Sequence, residues 1–248
     1  MFSTSDLSRL ILLDIETATI APTMDLLNDR LRDQWAKKAK TLQKTTQEEK
    51  SAEEWFLDRG AIFAEFSQVV CVSVGFLTFS EEQPHCRVTS AFGPEEHAVL
   101  ASFDRLLGRF DPPQSWRLCA HNGKEFDFPF LGRRFLVHGF PLPALLQLQG
   151  KKPWEIPHVD TMDLWKFGDY KSYVSLDLLT AIMDVPSPKS DLKGSEVGRV
   201  FWQDRDYDRI RRYCEQDVVA TAQVLLRFSR LPILNEKEVV SLSLQGED

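Results

Sequence analysis

The sequence lacks a hydrophobic run long enough to cross a bilayer. Its N-terminal apolar stretch, Leu10 to Leu13, is cut off at once by Asp14, whereas a spanning helix needs about 20 apolar residues. Acidic residues rather than a small-residue cleavage site follow it, so a cytoplasmic protein is expected. Cysteine is sparse and carries no metal-binding spacing. Cys71, Cys86, Cys119 and Cys214 form no CxxC pair and each lies beside apolar residues, which points to buried reduced thiols rather than disulfides or a zinc site. A cationic excess is missing too. With a formal net charge of −7, the chain does not read as a sequence-independent nucleic-acid coat, which needs a broad basic face to displace phosphate counterions. An enzyme acting on nucleic acid stays open, because bound metal ions supply positive charge where carboxylates cluster. There is no internal repeat.

What is present is the composition of a globular domain: 248 residues, 43% hydrophobic and 27% charged, enough for one sizeable core. Leu10 to Ile15 are apolar on both alternating faces, the pattern of a central strand covered on both sides. "QVVCVSVGFLTF", the turn-rich "SEEQP" and "HCRVTSAF" predict a β-hairpin. "GPEEHAVLASFDRLLGRF" predicts an amphipathic helix with Pro94 and two acids in its first turn. "WRLCAHNG" reads as a strand ending in an Asn-Gly turn, and "FPFLGRRFLVHG" as a helix opening on Pro129. "HVDTMDLW" is a short strand running into a helix, Ser175 caps another helix, and the last long helix spans about Asp206 to Phe228. This order predicts an α/β domain with a mixed sheet. Two segments stand apart. Residues 22–60 are polar and helix-prone, with a capping-box signal at Ser51 and Glu54, and read as a helical insertion between the first two strands. A single domain is expected over 1–230, and the polar tail 231–248 has no assignment.

Side chains alternate along a strand, so Leu10, Leu12, Asp14 and Glu16 share a face and the two acids sit where the strand leaves the sheet, the end at which open α/β sheets bind ligands. A D-x-E arises by chance on the order of once in a few hundred residues, so the pair decides little alone. Two carboxylates at this spacing repel one another, and burial raises the cost unless a cation sits between them; a divalent metal is the simplest remedy. In "HNGKEFDFPFL", Asp127 stands just ahead of Pro129, and that stretch alone reads as an ordinary helix cap. In "RIRRYCEQDVVATAQVLLRF", an apolar stripe through Tyr207, Ile210, Cys214, Thr221, Val224 and Phe228 places Asp217 on a buried seam, the kind of rule violation that marks a site. Tyr213 lies one turn above it. Tyr173 and Asp177 repeat that spacing, but Ser175 as N-cap puts Asp177 in a first turn, where the helix dipole favours an acid.

Taken in order, "DIET", "HNGKEFDFPFL" and "YCEQD" resemble the 3′–5′ exonucleases of the DEDD group that carry a tyrosine in the third motif, and among them the bacterial exonucleases related to the proofreading domain of family B DNA polymerases. The resemblance covers most of the chain from Leu10 to Phe228. It implies a ribonuclease H-like fold, a mixed sheet flanked by helices. It implies further that Asp14, Glu16, Asp127 and Asp217 hold two Mg²⁺ or Mn²⁺ ions and that Tyr213 orients the attacking water. Carboxylate oxygens suit such hard cations, two of which, roughly 4 Å apart, serve opposite sides of a scissile phosphate. A phenol with a reference pKa of about 10 stays protonated at neutral pH and can hydrogen-bond that water.

The same segments suggest how substrate is held. Phe126 reads equally as a surface for a terminal base and as core packing. Asn122 either shapes its own turn or, as the resemblance favours, bonds a phosphate or sugar. Thr17 and His121 are candidates of the same kind, with structural roles as alternatives, and Lys189 and Lys193 read as a solvated loop that could touch a phosphate backbone. The expected activity is removal of nucleoside monophosphates from the 3′ end of single-stranded DNA. RNA trimming is the alternative within the enzyme class, and a non-catalytic binding module the alternative outside it.

Overall fold

In the computed structural model, which describes residues 2–169, 171–186 and 191–243, Ser3 caps a short helix, α1 (Thr4–Leu7), that leads into β1 (Leu10–Thr19). Helices α2 (Asp29–Thr46) and α3 (Ala52–Arg59) intervene before β2 (Ser67–Ser80) and β3 (Gln83–Phe92). There follow α4 (Glu96–Leu107), β4 (Arg117–Ala120), α5 (Asp127–Val137), β5 (Val159–Asp160), α6 (Thr161–Lys166) and α7 (Leu176–Ile182). The short α8 (Val197–Arg199) continues into a π-helical turn, Val200–Asp204, then α9 (Tyr207–Phe228) and β6 (Val239–Ser241). No helix among the described residues is long and apolar enough to cross a membrane.

The six strands form one mixed sheet in the order β5-β4-β1-β2-β3-β6. β1 runs antiparallel to β2 and parallel to β4, so it lies at the centre, as its two-faced apolar pattern demands. Ile11, Leu13 and Ile15 face a core shared with Phe103 of α4 and Phe128, Leu131 and Phe135 of α5. Leu10 and Leu12 face Val218, Ala222, Leu225 and Leu226 of α9. The even-numbered positions of β1 therefore point at α9. That helix lies so close to β2 that a Cβ at Gly75 would stand 2.7 Å from a Val218 methyl.

The β2–β3 hairpin closes through Glu81 and Glu82, both left-handed (φ 50° and 68°), a two-residue turn whose twist matches the strands. Pro84 lies in β3 beyond the three residues, Cys86 to Val88, that β6 pairs, where a missing N–H is tolerated. Pro94 stands just ahead of α4, not in its first turn. Of the tail beyond residue 230, unassigned from sequence, Val239–Ser241 belong to the sheet. β6 adds in parallel to β3, and Leu242 N–H donates to the Val88 carbonyl at 2.8 Å.

α2 and α3 have an apolar core of their own. Trp35 is fully buried, with its ring edge-on to Phe56 and Phe66 at 5.3 and 5.0 Å and its Nε1–H donating to the Ala52 carbonyl at 2.7 Å. The capping box at Ser51 and Glu54 is present.

A buried ionic cluster ties α4 and α5 to the start of β2. Arg134 donates through Nε and Nη2 to the two oxygens of Glu96 at 2.8 and 2.5 Å, and through Nη1 to the Ala64 carbonyl at 2.7 Å. Glu96 Oε1 also accepts from the Val69 N–H at 2.8 Å, and its Oε2 lies 2.6 Å from His138 Nε2.

Candidate active site

The face of β1 that carries Leu10 and Leu12 continues through Asp14 and Glu16 toward α9. Between Glu16 and Thr17 the register with β2 shifts, Glu16 opposing Cys71 and Thr17 opposing Val69, so Val70 is the extra residue of a β-bulge. Bulges re-aim side chains at the ends of ladders. Glu16 is 8% exposed and Asp14 is half-buried. From α9, the Cys214 thiol donates to Asp14 Oδ2 at 3.3 Å, and one ligand atom each from Asp14, Glu16 and Cys214 lie within 4.8 Å of one another.

Asp127 arrives from the opposite side of β1. β4 pairs with β1 only as far as Leu12, and the Ile15 N–H on the vacated edge donates to Asp127 Oδ1 at 3.2 Å. The cap reading of Asp127 is thereby corrected. The N-cap of α5 is Phe126, without a side-chain bond, and the Asp127 carboxylate reaches across to the first strand. The turn that delivers it needs its residues: Asn122 is left-handed (φ 64°), and a Cβ at Gly123 would lie 2.5 Å from that of Ala120.

Asp217 is half-buried, on the flank of the α9 seam rather than within it, while Ile210, Cys214, Thr221 and Val224 are buried as the periodicity predicts. Tyr213 shares a hydrogen bond with Asp217. Ser175 caps α7 by accepting from Leu178 N–H, as expected, yet Asp177 in that first turn is close enough to raise the Asp217 pKa.

The electrostatics are one-sided. Burial, then Asp217, Glu16 and Asp127, pushes the Asp14 carboxyl well above the usual carboxylate range, with the Cys214 hydrogen bond opposing. Glu16 is pushed the same way by burial, then Asp217, Cys71 and Asp127. Asp127 rises to about 7 through burial, with Asp160 and Asp217 adding and backbone hydrogen bonds opposing. Asp217 rises to about 6, again through burial, against the Tyr213 hydrogen bond. The Tyr213 phenol is pushed far above its ordinary range by burial and then by Glu16, Asp217 and Asp14. Among the described residues no lysine or arginine pairs with any of the four carboxylates. Hard oxygen donors repelling one another without a cation are a donor set that fits Mg²⁺ or Mn²⁺.

Residues 62–240, which include Asp127, Tyr213 and Asp217, match the family described as predicted 3′–5′ exonucleases related to the exonuclease domain of PolB. The chain belongs to this family. Asp14 and Glu16 lie ahead of the matched stretch and join the site through the sheet. In fold, this PolB-related family member is similar to the family B DNA polymerase of the hyperthermophilic archaeon Pyrobaculum calidifontis, with a TM-score of 0.53 and 18% identity over 88% of this chain. The chain spans about a quarter of that polymerase, 24% of its length. No curated protein matches it.

The other candidates of this exonuclease-family chain divide. Phe126 lines a cleft of about 780 Å³ that opens at Glu16, and packs on Phe130 at 5.3 Å. Asn122 keeps its side-chain Oδ1 buried with no hydrogen-bond partner among the described residues. Thr17 also lines the cleft, but its hydroxyl donates to the Ala61 carbonyl at 2.8 Å. His121 is a correction: Nε2 bonds the Val174 carbonyl at 2.8 Å and Nδ1 bonds Thr161 Oγ1 at 2.9 Å, so its ring ties β4 to α6 and the approach to α7 and keeps no nitrogen for substrate. Lys193 is exposed and starts a short turn by donating its N–H to Glu196; Lys189 lies outside the described residues.

Asp160, to which sequence reasoning gave no role, organises the Asn122 turn. It is 2% exposed. Its Oδ1 accepts from the N–H groups of Asn122 and Met162, both at 2.9 Å, and its Oδ2 from Lys124 N–H at 3.0 Å. The local signal was an Asp at the strand-to-helix junction of "HVDTM", a place where such a residue caps a helix. Its second duty, to a turn 38 residues away, has no local trace. Asp160→Ala orphans these donors and is expected to destabilise the protein by about 2–3 kcal/mol, read by urea denaturation.

Proposed function

We propose that the protein is a two-metal-ion 3′–5′ exonuclease that releases nucleoside monophosphates from the 3′ end of single-stranded DNA. The observation that carries this reading is the convergence of Asp14, Glu16, Asp127 and Asp217 from β1, α5 and α9, their pKa values raised by burial and mutual repulsion. These four would hold the ions, which when bound supply Lewis-acid charge at the scissile phosphate. Tyr213 stays protonated. Its hydroxyl donates to Asp217, which leaves an oxygen lone pair to accept a hydrogen bond from a water and hold it for in-line attack on phosphorus. Water adds there, the bond to the 3′ oxygen of the preceding nucleotide breaks, and that oxygen takes a proton. Phe126 offers a face or wedge to a base, whereas the Asn122 Oδ1 atom is too deeply buried to meet the substrate directly. Similarity of fold to a DNA polymerase supports DNA over RNA.

The experiment is to incubate 5′-labelled single-stranded DNA and RNA of matched sequence with Mg²⁺ or Mn²⁺, alongside Asp14→Ala and Asp217→Ala. A stepwise ladder from the 3′ end that both substitutions abolish is expected on DNA. Preferential shortening of RNA would transfer the substrate class. No shortening of either strand, with binding retained, would leave a binding module. Tyr213→Phe keeps every metal-holding oxygen but loses the water-positioning hydroxyl, so it should slow turnover roughly 10²-fold at unchanged metal affinity. A loss of metal affinity would mean that Tyr213 has been given the wrong role.

A further inference from the structure

The cleft that opens at Glu16 is bounded on one side by residues of the insertion, which the chemistry above does not use. Leu57 and Ile62 line it and are 58% and 47% exposed. Their neighbours Trp55 and Phe56 are fully withdrawn into the insertion's own core, so Leu57 and Ile62 are not left out for want of an interior. Between them in sequence, Arg59 also lines the cleft. Its only ion pair among the described residues is a 3.5 Å contact with Asp58, whose carboxylate is bonded more closely by Lys50 at 2.8 Å. This wall is fixed to the catalytic strand. Thr17 Oγ1 donates to the Ala61 carbonyl at 2.8 Å, and Gly60 approaches Thr19 so closely that a Cβ there would lie 2.7 Å from its methyl. A fixed apolar wall, a guanidinium held only by the 3.5 Å contact with Asp58, and Phe126 in the same cleft suit a ligand with a flat apolar face and a phosphate beside it. The volume of about 780 Å³ is ample for a nucleotide.

The geometry points to Leu57 and Ile62 as the outer wall of a slot for the base of the 3′-terminal nucleotide, with Arg59 on a backbone phosphate. This rests on the exonuclease reading and adds to it a residue set that lies ahead of the stretch matched to the family, or at its first residue. Aliphatic side chains contact the face of any base and read none of its edges, so the slot accepts all four bases.

The test measures binding rather than turnover. A single-stranded DNA with 2-aminopurine as its 3′-terminal base, joined by a phosphorothioate linkage that resists hydrolysis, is titrated with the full chain. Leu57→Ser/Ile62→Ser, exposed changes that should leave the melting temperature in place, is expected to weaken binding roughly tenfold, while Leu57→Met/Ile62→Val binds like the parent. On an oligonucleotide whose 3′-terminal residue is abasic, parent and serine variant should bind equally. Equal binding to the base-bearing strand, a defect that persists without the base, or no binding by the parent would each overturn the proposal. Base-dependent binding without any shortening of natural DNA would overturn the exonuclease reading alone, and shortening with unchanged binding would overturn the slot alone.

Discussion

Asp217→Asn is expected to make the metal-free protein melt at a higher temperature while slowing hydrolysis on the order of 10³-fold, the size that follows from losing several kcal/mol of metal-borne charge stabilisation. Asp217 is the largest charged contributor to the raised pKa values of both Asp14 and Glu16. It is half-buried, so an amide there keeps contact with water. The sign with pH follows from the direction of the shifts. A carboxylate whose folded pKa is raised contributes stability that is complete below its unfolded value of about 4 and is lost as pH rises through the folded value. For Asp217 and Asp127 that loss passes through about 6 and about 7. In chelator, the parent should therefore lose melting temperature between pH 5 and pH 8. Asp217→Asn should flatten that fall, by about 2–4 °C for each kcal/mol of repulsion relieved. Added Mg²⁺ or Mn²⁺ should stabilise the parent more at pH 8 than at pH 5, and the variant less than the parent. A metal-free variant that melts no higher than the parent at pH 8 would show that the carboxylates do not strain the fold, and the argument for a cation among them would go with it.

Arg134→Met should be the most destabilising single change away from the site, costing about 3–5 kcal/mol because it leaves a buried carboxylate without its cation. Glu96 would keep the Val69 N–H and His138 but lose both guanidinium bonds, and the Ala64 carbonyl would lose its donor. Methionine fills the volume of the arginine stem, so the loss is electrostatic rather than a cavity. The control is Glu96→Gln/Arg134→Met, in which the amide oxygen still accepts from Val69 while no charge is left buried; it should recover a large part of the lost stability. Urea denaturation of the two single variants and the pair decides this. If the double variant is as unstable as Arg134→Met or worse, packing at Arg134 rather than the buried charge sets the cost.

How far these features could be read in advance depended on the range of the interaction. β1 was legible because period-two alternation and two-sided burial write themselves into six consecutive residues. The buried stripe of α9 was legible because an amphipathic helix fixes which positions turn inward, but it put Asp217 too deep: the residue stands half-buried on the flank of that seam. Asp127 was misleading on its own stretch, where Asp before Phe-Pro looks like a cap; its actual partner, the Ile15 N–H, lies 112 residues away. Glu96 likewise looked like an ordinary first-turn acid, and nothing nearby announces Arg134, 38 residues on. His121 stands beside the right residues and is held by contacts with Thr161 and Val174 that only the fold supplies. β6 left no signal because three residues carry no periodicity and their partner strand lies far back in the chain.

That last strand bears on how the protein is handled. β6 shields the β3 edge from Cys86 to Val88. A chain trimmed at residue 230 would leave those backbone N–H and C=O groups unpaired on a strand whose inward face is apolar, a template for another copy to pair with. A fragment drawn to end with α9 is therefore expected to self-associate, which size-exclusion chromatography beside the full chain would read.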